Sequence, residues 1–427
     1  MKSSILSYIK LAIIVSLLPF LWLFTQMDLL GGPLHATGNI AGLIAGVLML
    51  WQFVLGIRFI SSRMTEDYVS VIGLHKKLGI YGGMLALVHP FWMMVNYSAG
   101  LEFFYELDLS TEFGTHLFYG RIAFYLFLII WVTSAILRKK MKFRPWMYLH
   151  YLTYPMMFFV FLHALDIGTF LLSFPLLQYY WIGLAGIYFV VLFYRLSNFV
   201  NIGKYQYILS SKKSVGNDIT LYTFKPLGKK LDRSVGQFAF IRKHFFGEAH
   251  PFTVMECDRE TGEITFGIKS VGPFTNTLTS LQKGDRIFVD GPYGVFTKEG
   301  HSNDPKVLIA GGIGITPFVE LVKKHSNENT FLFYSNKELK DAVLRDELKE
   351  KLGKRYVDAV SQEDVSGEFV VKGRLTKSTL NKYLSSSLLK SARFFVCGSP
   401  SFMNGVFKML DDLGVSKDRI HSEEFSL

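Results

Sequence analysis

Six long runs without a charged residue fill the first half of the chain and constrain its fold more than any other feature. They lie at residues 11–27, 29–57, 78–101, 122–137, 145–165 and 167–194. Most of them are long enough, or nearly so, for a helix to cross a hydrocarbon core of about 30 Å. No such run follows Arg195. Residues 1–200 are therefore predicted to form a six-helix membrane domain, and the remaining residues to lie outside the lipid bilayer.

The first apolar run has a second interpretation, as a secretory signal peptide. No small-residue cleavage site follows this run, and Gly31-Gly32-Pro33 is typical of a turn into a second helix. We therefore expect a helix that stays in the membrane.

Basic residues mark alternate connections between the predicted helices. Lys76 and Lys77 belong to one such connection, and five lysines and arginines lie between residues 138 and 144. The opposite connections are acidic, above all residues 99–116. By the positive-inside rule, both termini and the C-terminal half are predicted to be cytoplasmic. This topology accounts for much of the net charge of +11, so the charge gives no reason to expect a nucleic acid partner.

Four of the eleven histidines fall inside two predicted membrane helices. His75 and His89 are fourteen residues apart in the third helix, and His150 and His163 are thirteen residues apart in the fifth. Ionisable side chains are costly at membrane depth and are candidates for function. The spacing predicts two His/His pairs separated by about 20 Å along the helices. Each pair is suited to hold one haem iron from both sides, although packing histidines with hydrogen bonds to neighbours are the alternative.

The fifth helix is the less regular of the two. Thirteen residues at about 100° each leave His163 about 140° away from His150 on an ideal helix. Pro155 lies between them and is able to kink or rewind the segment, so we predict a distorted fifth helix. A straight helix here would contradict the arrangement with two haems. His35 and His116, at outer helix ends, are interpreted as structural residues.

The C-terminal half changes its pattern near Pro305. Residues 204–300 contain short alternating segments separated by Gly, Asn and Asp, as in a small antiparallel β-barrel. Beyond Pro305, apolar strands alternate with helices, which predicts a parallel sheet in an α/β domain. The expected domains are residues 1–200, 201–303 and 304–427.

Three stretches of this half contain residues suited to bind phosphate or an aromatic ring. The glycine-rich turn from Ala310 to Phe318, AGGIGITPF, joins a strand to a helix, where we expect Thr316 to cap the helix and Pro317 to occupy its first position. HPFTV places a hydroxyl beside an aromatic side chain, and KSVGPFTNTL combines a cation with a glycine turn and threonines. Each stretch alone has a structural explanation, since Thr is common in strands and Gly-Pro in turns.

Taken together, the motifs resemble the ferric reductase and NADPH oxidase flavocytochromes, most closely the bacterial NADPH oxidases. The membrane half has the family's H-x13-H and H-x12-H pairs. GQFAFI, HPFTV and DGPYG resemble an FAD-binding barrel of the ferredoxin-reductase type, and GGIGITPF and VCGSP resemble its nicotinamide-dinucleotide domain. The resemblance therefore implies a membrane α-helical bundle followed by a ferredoxin-reductase-like module.

The resemblance also implies roles for individual residues. The haem ligands would be His75, His89, His150 and His163. The FAD site would include His250, Pro251, Phe252, Thr253, Lys269, Gly272, Thr275 and the near-terminal Phe425, which resembles the aromatic residue that covers the flavin. The nucleotide site would include Gly311, Gly312, Gly314, Thr316, Pro317, Ser335, Cys397 and Gly398. Thr253, Cys397 and Phe425 would lie at the reacting rings. Arg121, near the outer haem, would attract anions or stabilise reduced oxygen if it is not structural.

The implied function is electron transfer across a bacterial-type plasma membrane. Cytoplasmic NADPH or NADH would reduce FAD, and two haems b would carry electrons to dioxygen outside, which gives superoxide. Ser335 and a nearby cation favour NADPH; Asn336, Lys337 and Arg345 are further candidates for contact with its 2′-phosphate. No obligatory protein partner is evident. The alternatives are a ferric-chelate reductase with the same electron path, a channel or transporter with a nucleotide-binding domain, and a haem-binding scaffold without catalysis.

Overall fold

The computed structural model describes residues 2–29, 32–57, 68–216, 218–245 and 247–424. The chain divides into two compact units, Met1–Ser197 and Asn198–Leu427. The domain limits expected from the sequence, after residues 200 and 303, remain predictions. Phe425 lies outside the described residues.

Eight α-helices are found in the described part of the first half of the chain. They are α1 (Lys2–Trp22), α2 (Gly32–Leu55), α3 (Tyr68–Asn96), α4 (Glu112–Trp131), α5 (Phe143–His150), α6 (Thr153–Ile167), α7 (Thr169–Ser173) and α8 (Pro175–Phe199). Five stretches are long and apolar enough to cross a membrane: Leu6–Gln26, Gly32–Leu55, Val71–Asn96, Glu112–Ile136 and Pro175–Phe199. The helical membrane class is confirmed, with five such spans among the described residues where the sequence predicted six.

The missing sixth span is the predicted fifth helix, which is broken. α5 ends at His150, and α6 begins at Thr153 after a turn at Tyr151 and Leu152. Pro155 is the third residue of α6, where its missing N–H interrupts no intrahelical hydrogen bond. Its ring would collide with the carbonyl of residue 151 in a continuous helix, so the chain turns before the proline. The predicted distortion is thus confirmed, and it lies a few residues earlier than Pro155 itself.

Small residues allow the membrane helices to pack closely. A side chain at Gly82 would lie 3.1 Å from Leu48 of α2, and one at Gly83 would collide with the indole of Trp131 in α4. These two glycines therefore permit contact between helices. The core of the bundle contains large aromatic side chains that are almost fully buried, among them Trp181 and Tyr188 of α8.

The first part of the C-terminal unit is a seven-stranded antiparallel sheet with one short helix. Its elements are β1 (Tyr205–Val215), β2 (Ile219–Pro226), β3 (Phe238–Arg242), β4 (His250–Thr253), β5 (Glu256–Cys257), β6 (Ile264–Lys269), α9 (Pro273–Leu278) and β7 (Arg286–Tyr293). The strand order is β4-β3-β7-β1-β2-β6-β5. Alternate side chains of β1, β2 and β6 are buried in one core, which contains Tyr207, Phe224 and Phe266. The alternating pattern predicted for this region is confirmed as an antiparallel sheet.

The second part is a six-stranded parallel sheet covered by helices. Its elements are β8 (Lys306–Gly311), α10 (Thr316–His325), β9 (Thr330–Asn336), α11 (Arg345–Leu352), β10 (Tyr356–Val360), β11 (Val370–Lys372), α12 (Lys377–Tyr383), α13 (Ser386–Ser391), β12 (Arg393–Gly398), α14 (Pro400–Asp412) and β13 (Ile420–Glu424). The order β11-β10-β9-β8-β12-β13 places β8 beside both β9 and β12. The strand order therefore reverses at β8, and the carboxyl end of such a strand is where open α/β sheets bind their ligands.

Buried and half-buried ion pairs join the two sheets of this unit. Arg233, which precedes β3, pairs with Glu320 of α10, and both side chains are at least 94 % buried. Lys323, in the same helix, pairs with Glu256 of β5 at 2.6 Å. Removal of either partner of the Arg233–Glu320 pair would leave the other charge buried and unpaired, which is strongly destabilising.

Candidate functional site

The first histidine pair joins α3 to the end of α5. The ring centroids of His75 and His150 lie 6.3 Å apart, with an angle of 60° between the ring planes. Nδ1 of His75 lies 3.2 Å from the carbonyl oxygen of Gln52, and Nδ1 of His150 lies 3.2 Å from the hydroxyl of Ser134. The indole of Trp146 stacks on the ring of His150 at 5.1 Å, and it also donates a hydrogen bond to Ser134.

The second pair has nearly the same geometry, farther along α3 and in α6. The ring centroids of His89 and His163 also lie 6.3 Å apart, with an angle of 72° between the planes. Nδ1 of His89 lies 2.8 Å from the carbonyl oxygen of Gly38, and Nδ1 of His163 lies 2.9 Å from the carbonyl oxygen of His116. All four histidines named from the sequence are thus brought together as the two predicted pairs.

The hydrogen bonds decide which ring nitrogen is available to a ligand. A carbonyl oxygen only accepts, so Nδ1 of His75, His89 and His163 carries the proton and Nε2 presents a lone pair. Among the described residues, no group of three or more His, Cys, Asp or Glu side chains is placed to hold a metal ion.

Two glycines make room for the second pair. A side chain at Gly42 of α2 would lie 2.8 Å from Nδ1 of His89, and one at Gly120 of α4 would lie 2.5 Å from Nδ1 of His163. Both distances are shorter than real side-chain contacts. The absence of a side chain at these positions therefore leaves room for each ring in this orientation.

A largely apolar cavity adjoins the second pair. Its wall includes both histidines, Trp181 and Arg121. The guanidinium of Arg121 donates to two backbone carbonyls: Nε lies 2.7 Å from the oxygen of Phe103, and a second nitrogen bonds the oxygen of Glu106. Arg121 therefore lies in the cavity wall with the second pair, and part of its donor capacity is already used by the protein.

The two histidines interpreted as structural have protein partners. His35 forms hydrogen bonds with Thr169, Asn39 and Asn96 at 3.0–3.1 Å. His116 contacts Asp166 at 3.2 Å and the carbonyl oxygen of Leu162 at 3.0 Å. Its backbone carbonyl accepts the hydrogen bond from His163, so His116 supports a member of the pair without joining it.

The antiparallel sheet brings part of the predicted flavin site together at β4. His250 stacks on the ring of Phe274 with a centroid distance of 4.0 Å, and Phe252 lies 6.1 Å from the same ring. Pro251 lies between them in the strand. Thr253, at the end of β4, is buried, and its hydroxyl has no hydrogen-bond partner among the described residues. A buried hydroxyl without a partner is costly and indicates that a ligand atom completes this site.

The KSVGPFTNTL stretch forms a turn that leads into α9. The hydroxyl of Thr275 accepts hydrogen bonds from the backbone N–H groups of Val271 and Gly272, both at 3.0 Å. Lys269 pairs with Asp218 at 3.2 Å. Thr275 thus fixes the turn, while its assignment to the FAD phosphates remains a prediction, as do those of Lys269 and Gly272.

The glycine-rich turn lies at the carboxyl end of β8, as predicted. Gly311 ends the strand, and Gly312 has a φ of +54°, a left-handed conformation that favours glycine. A side chain at Gly314 would collide with the carbonyl of Cys397, so this glycine allows the turn to approach β12.

One detail of the turn differs from the prediction. Thr316 does not cap α10, because it is the first helical residue and its hydroxyl donates to the carbonyl of Ile313 at 3.1 Å. Pro317 occupies the second helical position instead of the first. No side chain caps this helix, but the N–H of Thr316 already donates to the carbonyl of Ile313 and Pro317 has no N–H, so only later N–H groups of the first turn are available to a phosphate.

Cys397 lies next to the turn and next to the carboxyl group of Glu423, which was not among the residues predicted from the sequence. Cys397 is buried at the end of β12, adjacent to Gly398, and it pairs in register with Glu423 of β13. Burial raises the pKa of the Cys397 thiol well above its ordinary value, and the Glu423 carboxylate adds to this effect. Burial also raises the pKa of Glu423 to about 8. Oε2 of Glu423 is enclosed without a hydrogen-bond partner among the described residues, which makes it a further candidate for contact with the nucleotide or flavin.

The residues predicted as possible contacts of the 2′-phosphate of NADPH fall into two groups in the structure. Ser335 is in register with Gly311, so it lies at the same sheet edge as the glycine-rich turn, and the exposed Lys337 follows two residues later. Arg345 instead pairs with Asp358 through two nitrogens at 2.9 Å. Arg345 is therefore used within the domain, and Ser335 and Lys337 remain the better candidates.

Comparison with known families assigns all three parts of the chain. Residues 41–161 match the ferric reductase like transmembrane component, residues 206–297 the oxidoreductase FAD-binding domain, and residues 308–408 the oxidoreductase NAD-binding domain. Similar proteins include flavohemoprotein A from Dictyostelium discoideum, which is 32 % identical over 162 residues, covering 36 % of this chain and 39 % of that protein. The reductase component of propane 2-monooxygenase from Mycolicibacterium smegmatis is 28 % identical over 227 residues, which are 49 % of this chain and 64 % of the relative. The chain thus spans less than two thirds of the length of these relatives.

Among solved structures, the FAD/NAD binding domain of nitric oxide dioxygenase from Vibrio cholerae O1 biovar El Tor is similar. It has a TM-score of 0.45 and 22 % identity, and the match covers 52 % of this chain and 98 % of that one. The three family assignments follow each other in the order of the membrane helices, the antiparallel sheet and the parallel sheet. The chain thus combines a ferric reductase like transmembrane component with oxidoreductase FAD-binding and NAD-binding domains, a domain set that matches the ferric reductase and NADPH oxidase family.

Proposed function

We propose that the protein moves electrons from cytoplasmic NADPH or NADH, through FAD and two haems held by histidine pairs, to dioxygen on the other side of the membrane, which forms superoxide. Both termini would be cytoplasmic in a bacterial-type plasma membrane. The observation that carries the proposal is the pair of matched His/His sites described above. When bound, FAD divides a hydride into single electrons, and haem carries them one at a time.

The geometry of both pairs fits haem. A metal–nitrogen bond of about 2.0 Å, with a ring centre about 1.1 Å beyond the nitrogen, places the centroids of two opposed imidazoles about 6.2 Å apart. Both pairs have a centroid separation of 6.3 Å. In three of the four histidines, a hydrogen bond from Nδ1 to a backbone carbonyl raises the basicity of Nε2 and fixes the ring, as is usual for metal-bound histidine.

The two pairs are separated along α3 by fourteen residues, or about 21 Å of helix. His75 and His89 would hold one side of each haem, and His150 and His163 the other. With two protein ligands for each haem, the pairs are suited to electron transfer, which is the chemistry that haem would supply here.

The C-terminal unit supplies sites for the other two cofactors. Thr253, His250 and Phe252 would hold FAD at β4, where the buried hydroxyl of Thr253 lacks a protein partner. The turn after β8 and the uncapped start of α10 would bind the nucleotide pyrophosphate. Cys397 and Gly398 lie beside that turn, where the nicotinamide would be placed.

A spectrum of the purified full-length protein tests the proposal. With FAD added, NADPH or NADH should produce a reduced-minus-oxidised spectrum of low-spin haem, with about two haems per chain. His75→Ala and His89→Ala should each remove about one haem, whereas His35→Ala, which alters a histidine outside both pairs, should retain two. A colourless protein, or equal haem loss in all three variants, would contradict the proposal and favour a channel or transporter.

The acceptor is tested separately. Cytochrome c reduction that is sensitive to superoxide dismutase measures superoxide, and reduction of a ferric chelate without oxygen measures the alternative activity. We expect the first to predominate. A ferric-chelate reductase would show the reverse, and a haem-binding scaffold would show haem that NADPH does not reduce even in the presence of FAD.

A further inference from the structure

Residues 100–106 form a segment that we name the strap. It lies between α3 and α4 and contains the 3-10 turn Leu101–Phe104. Phe103 and Phe104 of the strap line the same cavity as His89 and His163. The strap is therefore one wall of the space next to the second histidine pair.

Three hydrogen bonds tie the strap to α4, and all of them go to its backbone carbonyls. Arg121 donates to Phe103 and Glu106, and the hydroxyl of Tyr125 donates to Phe104 at 3.0 Å. Arg121 and Tyr125 are four residues apart, so they project from the same face of the helix. The planar guanidinium, with donors in a fixed fork, is suited to hold two carbonyls at once.

Aromatic side chains pack the strap against the cavity from the other side. The ring of Phe104 lies 4.9 Å from Phe91 of α3 and 5.7 Å from Phe124 of α4, and that of Phe103 stacks on Tyr97 at 6.4 Å. Hydrogen bonds and ring packing thus fix the same two residues that face the cavity. A strap held in this way has little freedom to move aside for a large molecule.

We propose that the strap selects electron acceptors by size, and that Arg121 is the positioning residue that holds it over the cavity. A diatomic molecule would enter past the strap, whereas a ferric chelate would be kept away from the second histidine pair. The part of this proposal that concerns the electron acceptor rests on the proposed function. The part that concerns closure of the cavity by the strap is independent of that function. Arg121 would then act through the strap, and not by attracting anions or stabilising reduced oxygen directly, as predicted from the sequence.

Thiol labelling tests the closure without any electron transfer. In the full-length protein with Cys257→Ser, a single reporter is introduced as Leu117→Cys in the cavity wall; the remaining native thiol, Cys397, is buried. The labelling rate is measured with small methyl methanethiosulfonate and with a bulky maleimide. Each rate is divided by the rate at a reference thiol, Leu109→Cys, on the exposed connection beyond the strap.

We expect the small reagent to label the cavity thiol and the bulky reagent to do so at least about tenfold more slowly, since it must wait for the strap to open. Arg121→Met should then raise the bulky-reagent rate by about tenfold or more, because two charge-assisted hydrogen bonds are lost. Tyr125→Phe removes one hydrogen bond, keeps the ring and should give a smaller increase. If Arg121→Met does not fold, Tyr125→Phe still tests whether the hydrogen bonds to the strap control access to the cavity.

Arg121→Lys distinguishes position from charge. A lysine keeps the positive charge but cannot reproduce the fork to two carbonyls, so it should behave like Arg121→Met. If Arg121→Lys labels like the parent while Arg121→Met does not, the charge matters and the positioning role is wrong. Equal access of both reagents to the parent protein would show that the strap does not close the cavity.

The acceptor choice is then measured with the same variants. Arg121→Met and Arg121→Lys should both raise the ratio of ferric-chelate reduction to superoxide formation. An increase in bulky-reagent labelling without a change in this ratio would overturn selection of the acceptor. A protein that carries out neither reaction refutes the proposed function, while the labelling result still decides whether the strap closes the cavity.

Discussion

A substitution at Gly120 is the most direct test of the second histidine pair, because its effect on the position of the His163 ring follows from a single contact. In Gly120→Ala the new Cβ would lie 2.5 Å from Nδ1 of His163, whereas ordinary contacts begin at 3.4 Å. The imidazole must therefore retreat by about 0.9 Å, away from the carbonyl of His116 that orients it. Overpacking of this kind costs about 1–3 kcal/mol. We expect the affinity for the second haem to fall by about 5- to 140-fold.

Two further glycines give a graded series. Gly42→Ala would place Cβ 2.8 Å from Nδ1 of His89, so the required retreat is smaller and the loss of haem should be smaller. Gly183→Ala, in α8, is the matched control, since no heavy atom lies within 4 Å of the new Cβ. Alanine is also favoured over glycine in a helix interior by about 0.5–1 kcal/mol, so this variant should retain both haems.

The assay is the haem content per chain after purification, with the reduced-minus-oxidised spectrum as a second measurement. Haem loss should rank Gly120→Ala above Gly42→Ala above Gly183→Ala. Two haems with an unchanged spectrum in Gly120→Ala would refute the assignment of His163. Equal losses in all three variants would show that helix packing in general, and not the orientation of the imidazole, had been disturbed.

The remaining predictions concern the C-terminal unit. The pKa of Glu423 is raised to about 8, above its value of about 4.3 in an unfolded chain, so its contribution to stability should be present at low pH and lost as the pH rises from about 4.3 to 8. Glu423→Gln should reduce the fall in the free energy of unfolding over this pH range, measured by denaturant unfolding. An unchanged pH dependence would contradict the prediction. Ser335→Asp should weaken the binding of NADPH relative to NADH by about tenfold, because the new carboxylate repels the 2′-phosphate. The measurement is the ratio of the flavin-reduction rates with the two nucleotides. An unchanged ratio would exclude Ser335 from contact with the 2′-phosphate. Lys306→Met should destabilise the unit by about 2–4 kcal/mol, because the buried amine donates to three backbone carbonyls at 2.6–3.0 Å. Lys351→Met, at an exposed position, is the control and should have almost no effect in the same unfolding assay.

Features with a local cause could be predicted from the sequence. The spacing of His75 and His89 is set by one helix, so their common face and separation follow from helix geometry. The distortion near Pro155 follows from the chemistry of proline. The glycine-rich turn after β8 follows from the change from a strand pattern to a helix pattern. In each case the relevant interactions lie within a few residues of one another in the chain.

Features that depend on distant contacts could not be predicted in the same way. Glu423 lies beside Cys397 only because β13 pairs with β12 in that register. Arg345 is used by Asp358, thirteen residues away on a neighbouring strand. The cap expected at Thr316 failed because the 3-10 turn Gly312–Ile315 precedes the helix and moves its first residue. Sequence periodicity contains no information about strand register or about the residue with which an arginine or lysine side chain forms an ion pair.

The break between α5 and α6 has a consequence for how the two cofactor sites are related mechanically. On one side, His75 and His89 belong to a single helix, α3, so their separation is nearly fixed. On the other side, His150 ends α5 and His163 lies within α6, and the two helices meet at a turn. With haem bound to both pairs, as proposed, a rotation at that turn would change the ligands of one haem and leave those of the other intact. The two proposed haem sites would therefore be filled, tuned or altered by mutation independently, although they share a common scaffold.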